Sequence, residues 1–232
     1  MSGVRQALLS NWFIRALSTS VGQKLVMGAT GLLLCGFLTV HLAGNLLLFQ
    51  GPEHYNRYAQ KLHENELLPV AEAGLLVLFL LHIILAFTTA RMNLAARPIG
   101  YREKQSKLSG GLLLEPHNYM FVTGVIVLGF LLLHLSDMRL AEWKMRLPYH
   151  EGMTPAEHAM LVLKDPISAT VYILGSLVLG VHLSHGFQSA FRSLGLNHPK
   201  YTPFITKLGF LFAIAIAIGF ASLPIWFFVV NK

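Results

Sequence analysis

The stretch FLTVHLAGNLL, Phe37 to Leu47, sets a histidine inside an uninterrupted apolar run. From Leu25 to Pro52, 28 residues pass without a Lys, Arg, Asp or Glu. A run of that length crosses a bilayer as a helix, and an ionisable side chain within such a helix is costly enough to demand a partner. His41 lies near the middle of the run, and its partner must come from another part of the chain.

Four further stretches repeat the pattern. Residues 73–90, 116–136, 166–191 and 208–231 are equally free of acidic and basic side chains, and each approaches or exceeds the roughly 18 residues a spanning helix needs. The composition agrees: 54% of the 232 residues are hydrophobic and only 12% charged, with a mean hydropathy of +0.55. This predicts an all-α integral membrane protein, a single domain over 1–232, with spans at about 24–49, 70–91, 117–138, 166–191 and 204–230. The first four spans form the expected bundle. No internal repeat or low-complexity tract is evident at this level.

Residues 1–20 are interrupted by Arg5 and Arg15 and lack a small-residue cleavage site, so they read as an amphipathic interfacial segment around Trp12 and Phe13. The net charge of +7 is unevenly spread. Eleven Lys and Arg residues, among them Lys24, Arg91, Lys104, Lys107 and Arg192, fall before the first span, between the second and third, and between the fourth and fifth. The opposite side carries seven, together with nine of the eleven acids. The positive-inside rule then makes the N-terminus cytoplasmic and the C-terminus external in a multi-pass protein of the inner (cytoplasmic) membrane. The basic face offers a docking surface for a soluble partner or anionic lipid, and nucleic acid is not implied. The single cysteine, Cys35, excludes an internal disulfide and any iron–sulfur cluster ligated by this chain alone.

His41, His82, His134 and His182 fall one to each of the first four spans. Alternate spans run in opposite directions, so depth sorts them. His41 lies seven residues before Leu48 and His134 just before Asp137, in the outer half. His82 lies nine residues before Arg91 and His182 ten before Arg192, in the inner half or near the middle. Two imidazoles facing each other across a helical bundle are the ligands of a six-coordinate haem, and two such pairs predict two stacked haems. Zinc or a di-iron centre would call for carboxylates or cysteines within the spans, which hold none suitable, and C-x-x-C-H is missing, so non-covalent haem b fits best. His185, three residues beyond His182, is a competing ligand. His182 is nearer the helix centre and is preferred.

Gly28 and Gly31 precede His41 by 13 and 10 residues, and Gly124 precedes His134 by 10. A rise of about 1.5 Å per residue puts them roughly 15–20 Å further inward, where they would let an inner macrocycle approach the backbone. Packing between membrane helices accounts for small residues equally well.

The order SVGQKLVMGATGLLLCGFLTVHLAGNLLLF (Ser20–Phe49), YNRYA (Tyr55–Ala59), HLSDMR (His134–Arg139) and VHLSHGFQSAFRSLGL (Val181–Leu196) resembles the di-haem cytochrome b membrane subunit of succinate dehydrogenase or fumarate reductase, of the five-helix, single-anchor type. The likeness runs over nearly the whole chain but not the stretch between 140 and 165. It implies that His41 and His134 hold a distal haem and His82 and His182 a proximal one. It also implies a flavoprotein subunit with covalent FAD and an iron–sulfur subunit docked on the cytoplasmic face, a function in complex II, and a membrane quinone, menaquinone more often than ubiquinone. The family pattern varies at position 185, in favour of His182.

Haem propionates require cationic or hydrogen-bonding groups near the membrane surface. The inner-side candidates are Gln23, Lys24, Arg91, His117 and Arg192. Quinone chemistry couples electrons to protons and calls for a carboxylate or histidine near a haem. The segment LHENELLPVAEAG (Leu62–Gly74) supplies His63, Glu66 and Glu72 at the outer side, and the resemblance places a functional acid in this neighbourhood. Two other readings stay open: a di-haem cytochrome b serving a hydrogenase or formate dehydrogenase, and a haem-free transporter with a histidine relay.

Overall fold

The computed structural model describes residues 19–95, 116–140, 147, 150 and 152–230. The interfacial segment around Trp12 and Phe13, the basic residues Arg97, Arg102, Lys104 and Lys107, and the side chain of His117 lie outside the described residues. Among the described residues seven α-helices follow in order: α1 Ser20–Leu46, α2 Pro52–His63, α3 Leu68–Ala95, α4 Pro116–Met138, α5 Pro155–Lys164, α6 Pro166–Ser193 and α7 Thr202–Ile225. Among the described residues there is no strand. Five of these helices, α1, α3, α4, α6 and α7, are long and apolar enough to cross a membrane.

The ends of the helices follow from capping chemistry. Thr19 caps α1 by accepting from Gly22 N at 3.1 Å. At the other end α1 tightens into a 3₁₀ turn over Leu47–Gln50. Gly51 then adopts φ 109°, a conformation only glycine takes freely, and Pro52 starts α2. Asp165 ends α5 and also caps α6, accepting from Ser168 N at 2.8 Å and Ser168 Oγ at 2.7 Å. Lys24, Arg91 and Arg192 are exposed near helix ends. Long basic side chains reach the interface from such positions, so the helices extend past the charge-free stretches.

α6 is central: it packs against α7, α4 and α1, while α1 also packs against α3 and α7. α3 and α4 meet at the Phe87–Phe121 ring contact (5.3 Å) and at the Arg139–Glu72 ion pair (3.5 Å). The seam between α6 and α7 is tight because glycine sits where a side chain would collide. A Cβ on Gly180 would fall 2.6 Å from Ala217 Cβ, and one on Gly209 would fall 2.7 Å from the Phe187 ring.

The connections from α1 to α3 and from α4 to α6, at the end of the bundle away from Ser20 and here the outer end, are helical, which the charge pattern does not indicate. α5 closes the outer end of the bundle: Ala156 and Val162 are fully buried, in a cluster with Leu48, Tyr172, Leu223 and Phe227. α2 is tied to it by Asn56, whose Oδ1 accepts from Ala156 N at 2.8 Å.

Two tests follow from this packing. Gly180→Val introduces a clash costing about 1–3 kcal/mol and should lower the melting temperature in detergent, whereas Gly36→Ala, which has open space at its Cβ, should not. The second concerns the α5 capping box. Glu157 accepts from Thr154 N at 2.8 Å and Thr154 Oγ1 at 3.0 Å, which holds its carboxyl below the ordinary value of 4.5. A depressed value in the folded state means the contribution is in place above 4.5 and is lost as pH falls through the folded value. Amide protection at the start of α5 should therefore weaken on acidification, and Glu157→Gln should remove that dependence.

Candidate cofactor site

The structure brings two of the four histidines together: the rings of His41 on α1 and His134 on α4 lie 5.8 Å apart with their planes at 80°. His82 on α3 and His182 on α6 are set by matching contacts to neighbouring helices. A metal–imidazole bond is about 2 Å long, so two imidazoles on opposite sides of one ion have ring centres roughly 6 Å apart. The outer pair is already at that separation. Among the described residues no group of three or more His, Cys, Asp and Glu could hold a metal ion.

Each inner histidine rests on a threonine–glycine pair of a neighbouring helix. His82 Nδ1 is 3.2 Å from Thr30 Oγ1, and a Cβ on Gly31 would fall 3.3 Å from His82 Cε1. His182 Nδ1 is 3.2 Å from Thr123 Oγ1, and a Cβ on Gly124 would fall 3.4 Å from His182 Cε1. Gly31 and Gly124 therefore admit the imidazole edge itself at the level expected for an inner cofactor. Gly28 does not belong with them. A Cβ there would meet Ala190 O at 3.1 Å and Ser193 Cβ at 3.3 Å, so the expected opening for a macrocycle is instead a close helix–helix contact.

These matching contacts fall in an internal sequence repeat, which corrects the reading that the chain has none. TGLLLCGFLTVHL (Thr30–Leu42) on α1 and TGVIVLGFLLLHL (Thr123–Leu135) on α4 share Thr-Gly, Gly-Phe-Leu and His-Leu at identical spacing. The partner helices share a histidine, phenylalanine and alanine in His82, Phe87 and Ala90 on α3 and in His182, Phe187 and Ala190 on α6. In sequence, α1–α3 and α4–α6 are thus parallel repeats, with the matching residues in the same order. His41 is equivalent to His134, and His82 to His182. Each of these pairs is one position taken from both copies.

Around the outer pair, Phe37 stacks on His41 at 5.2 Å. Phe130 lies 6.1 Å from His134 and Tyr172 lies 5.7 Å from it. Gly175 makes room for Phe130, whose ring lies 2.5 Å from where its Cβ would be. Asn45 donates to His41 O at 2.8 Å. His134 Nδ1 is buried with no hydrogen-bond partner. One polar contact here was not anticipated: Asp137, taken from its charge as an external acid, is only 5% exposed and accepts from the Tyr172 hydroxyl at 3.4 Å. The signal available in the sequence was a tyrosine within the charge-free fourth span.

His185 is turned elsewhere. Its Nδ1 approaches Ser184 Oγ at 3.1 Å and Val181 O at 3.4 Å, and its ring faces Tyr119 at 5.4 Å. The described inner-surface candidates make contacts of their own or are exposed. Gln23 Oε1 accepts from Thr88 at 3.4 Å, Arg192 donates to Gln188 at 3.2 Å, and Lys24 and Arg91 are exposed. At the outer side, His63 Nδ1 donates to Ala59 O at 2.8 Å and Glu66 is exposed. Glu72 pairs with Arg139 across two exposed side chains, an arrangement that contributes little to stability. The chain matches no family model, no curated protein and no solved structure.

Proposed function

We propose that this chain is the di-haem cytochrome b membrane anchor of a succinate:quinone oxidoreductase, passing electrons between a cytoplasmic iron–sulfur subunit and membrane quinone. The observation that carries the reading is the contact between His41 and His134 together with the matched seats of His82 and His182 on the two repeats, a second level that Gly31 marks ten residues or about 15 Å from His41 along α1. His82 and His182 hold the inner haem b and His41 and His134 the outer one. When bound, the two irons supply one-electron carriers in series across the apolar interior. The chain's own residues orient the imidazoles, exclude water and close the outer end.

The assignment to complex II in particular is supported by the sequence resemblance, which also brings the flavoprotein subunit with its FAD, the iron–sulfur subunit and a preference for menaquinone. The basic inner surface suits docking of those soluble subunits, with the N-terminus cytoplasmic. Reduction of a quinone takes up protons as well as electrons. His63, Glu66 and Glu72, at the outer ends of α2 and α3, are the groups proposed to handle them.

A pyridine haemochrome assay of the purified chain should report two haems b, and a chain without haem would favour the histidine-relay transporter. His41→Ala and His134→Ala should each remove the same spectral component, and His82→Ala and His182→Ala the other. Redox titration of the absorption bands reads this, and loss of one component by His41 and His82 variants alike would break the pairing. Co-purified FAD excludes the hydrogenase and formate dehydrogenase versions. Glu66→Gln should retain both haems and succinate oxidation with a soluble dye while losing quinone-linked turnover. Full quinone activity in both Glu66→Gln and Glu72→Gln would move the quinone site to the inner side.

A further inference from the structure

We propose that Thr30 and Thr123 are positioning residues that lock both inner imidazoles in the Nδ1–H tautomer and thereby tune the potential of the inner haem alone. The proposal rests on the di-haem reading above.

A threonine hydroxyl has one hydrogen to give. Thr30 Oγ1 donates to Met27 O at 3.0 Å, and Thr123 Oγ1 donates to Tyr119 O at 2.9 Å. With that hydrogen committed to its own helix, each oxygen faces the imidazole as an acceptor. The 3.2 Å contacts to His82 Nδ1 and His182 Nδ1 are then made by an Nδ1–H, which leaves the Nε2 lone pair for metal; at His82 the Met27 carbonyl is a further acceptor, so the Thr30 contribution is the smaller of the two. The threonines are 4% and 5% exposed, so water does not compete for either bond. The adjoining Gly31 and Gly124 allow the ring edge to come this close. The arrangement occurs twice, at the same offset from the outer histidine in both repeats: Thr30 precedes His41 by 11 residues and Thr123 precedes His134 by 11.

The outer pair lacks this support. His41 Nδ1 faces Asn45 Nδ2 at 3.5 Å, and an amide nitrogen is a donor, so it offers no acceptor to an Nδ1–H. His134 Nδ1 has no partner. Acceptors behind a ligating histidine fix its orientation and raise its basicity. A more basic pair of imidazoles favours the ferric state and lowers the potential of the iron it holds. The contribution therefore falls on the inner haem and not on the outer one.

The test uses the assembled complex, with the inner haem identified as the component lost in His82→Ala and His182→Ala. Redox titration and the electron paramagnetic resonance signal of each ferric haem are recorded for Thr30→Val, Thr123→Val, the double variant, and Thr→Ser at both sites. The expected result is an upward shift of the inner midpoint in each valine variant, a larger one in the double, an unmoved outer midpoint, and restoration by serine. Where valine lowers haem content, Thr30→Ala and Thr123→Ala, which remove the hydroxyl without added bulk, carry the same expectation. Two haems with an unmoved inner midpoint, or an equal shift of both, would overturn the positioning role. A parent complex without haem would instead overturn the functional reading, and this proposal with it.

Discussion

An imidazole inside a membrane bundle has no water to satisfy it, and every other feature of this bundle's interior answers to that constraint. Each ring nitrogen needs a hydrogen-bond partner or a metal. The inner histidines satisfy one nitrogen with a buried threonine hydroxyl. Their neighbouring glycines leave the ring edge close to the backbone, 3.3 and 3.4 Å from where a Cβ would stand. The outer histidines are held mainly by aromatic faces: Phe37 and Phe220 against His41, Phe130 and Tyr172 against His134. Rings that are packed but sparsely hydrogen-bonded through Nδ1 are positioned sterically, and those of the inner pair by geometry and polarity together.

The rest of the molecule keeps those four side chains in register. α7 carries no histidine within its span, yet it packs closely on α6 through Gly180 and Gly209, stiffening the helix that presents His182. α2 and α5 do the corresponding work at the outer end, where Val162 and Ala156 have no exposure at all. Tyr172 links the two levels of organisation: it belongs to the apolar cluster under α5, touches the His134 ring and donates to buried Asp137. A buried carboxylate costs several kcal/mol when unpaired, so this hydrogen bond is part of what permits Asp137 its place so near the outer pair.

The parallel repeat gives the proposed function its physical logic. A cofactor with two equivalent axial faces is matched by two equivalent ligands, and a duplicated helical hairpin supplies them without a second design. Each level draws one histidine from each copy, so neither half can build a site alone. The asymmetry enters through the fifth span, which leans on α6 and α1 and leaves the α3–α4 side to a ring contact and a surface ion pair.

Much of this was legible in the chain itself. Absence of charge over helix-length stretches identified all five candidate spans, because in lipid a charge is too costly to be scattered at random. Counting residues from the span ends sorted His41 with His134 and His82 with His182, since helical rise is constant. The repeat was also written there, in the matching segments from Thr30 and Thr123, but apolar helices resemble one another too closely for it to stand out before the contacts aligned it. What remained for the tertiary structure was everything set by which face meets which neighbour. It decided that Gly28 packs a helix while Gly31 admits a ring, and that Asp137 is buried rather than solvated. It also decided that residues 155–164 plug the bundle and that two threonines stand behind the inner histidines. Those outcomes depend on helix rotation and on contacts between residues as far apart in the chain as Gly28 and Ser193, and no local pattern of hydrophobicity or charge encodes them.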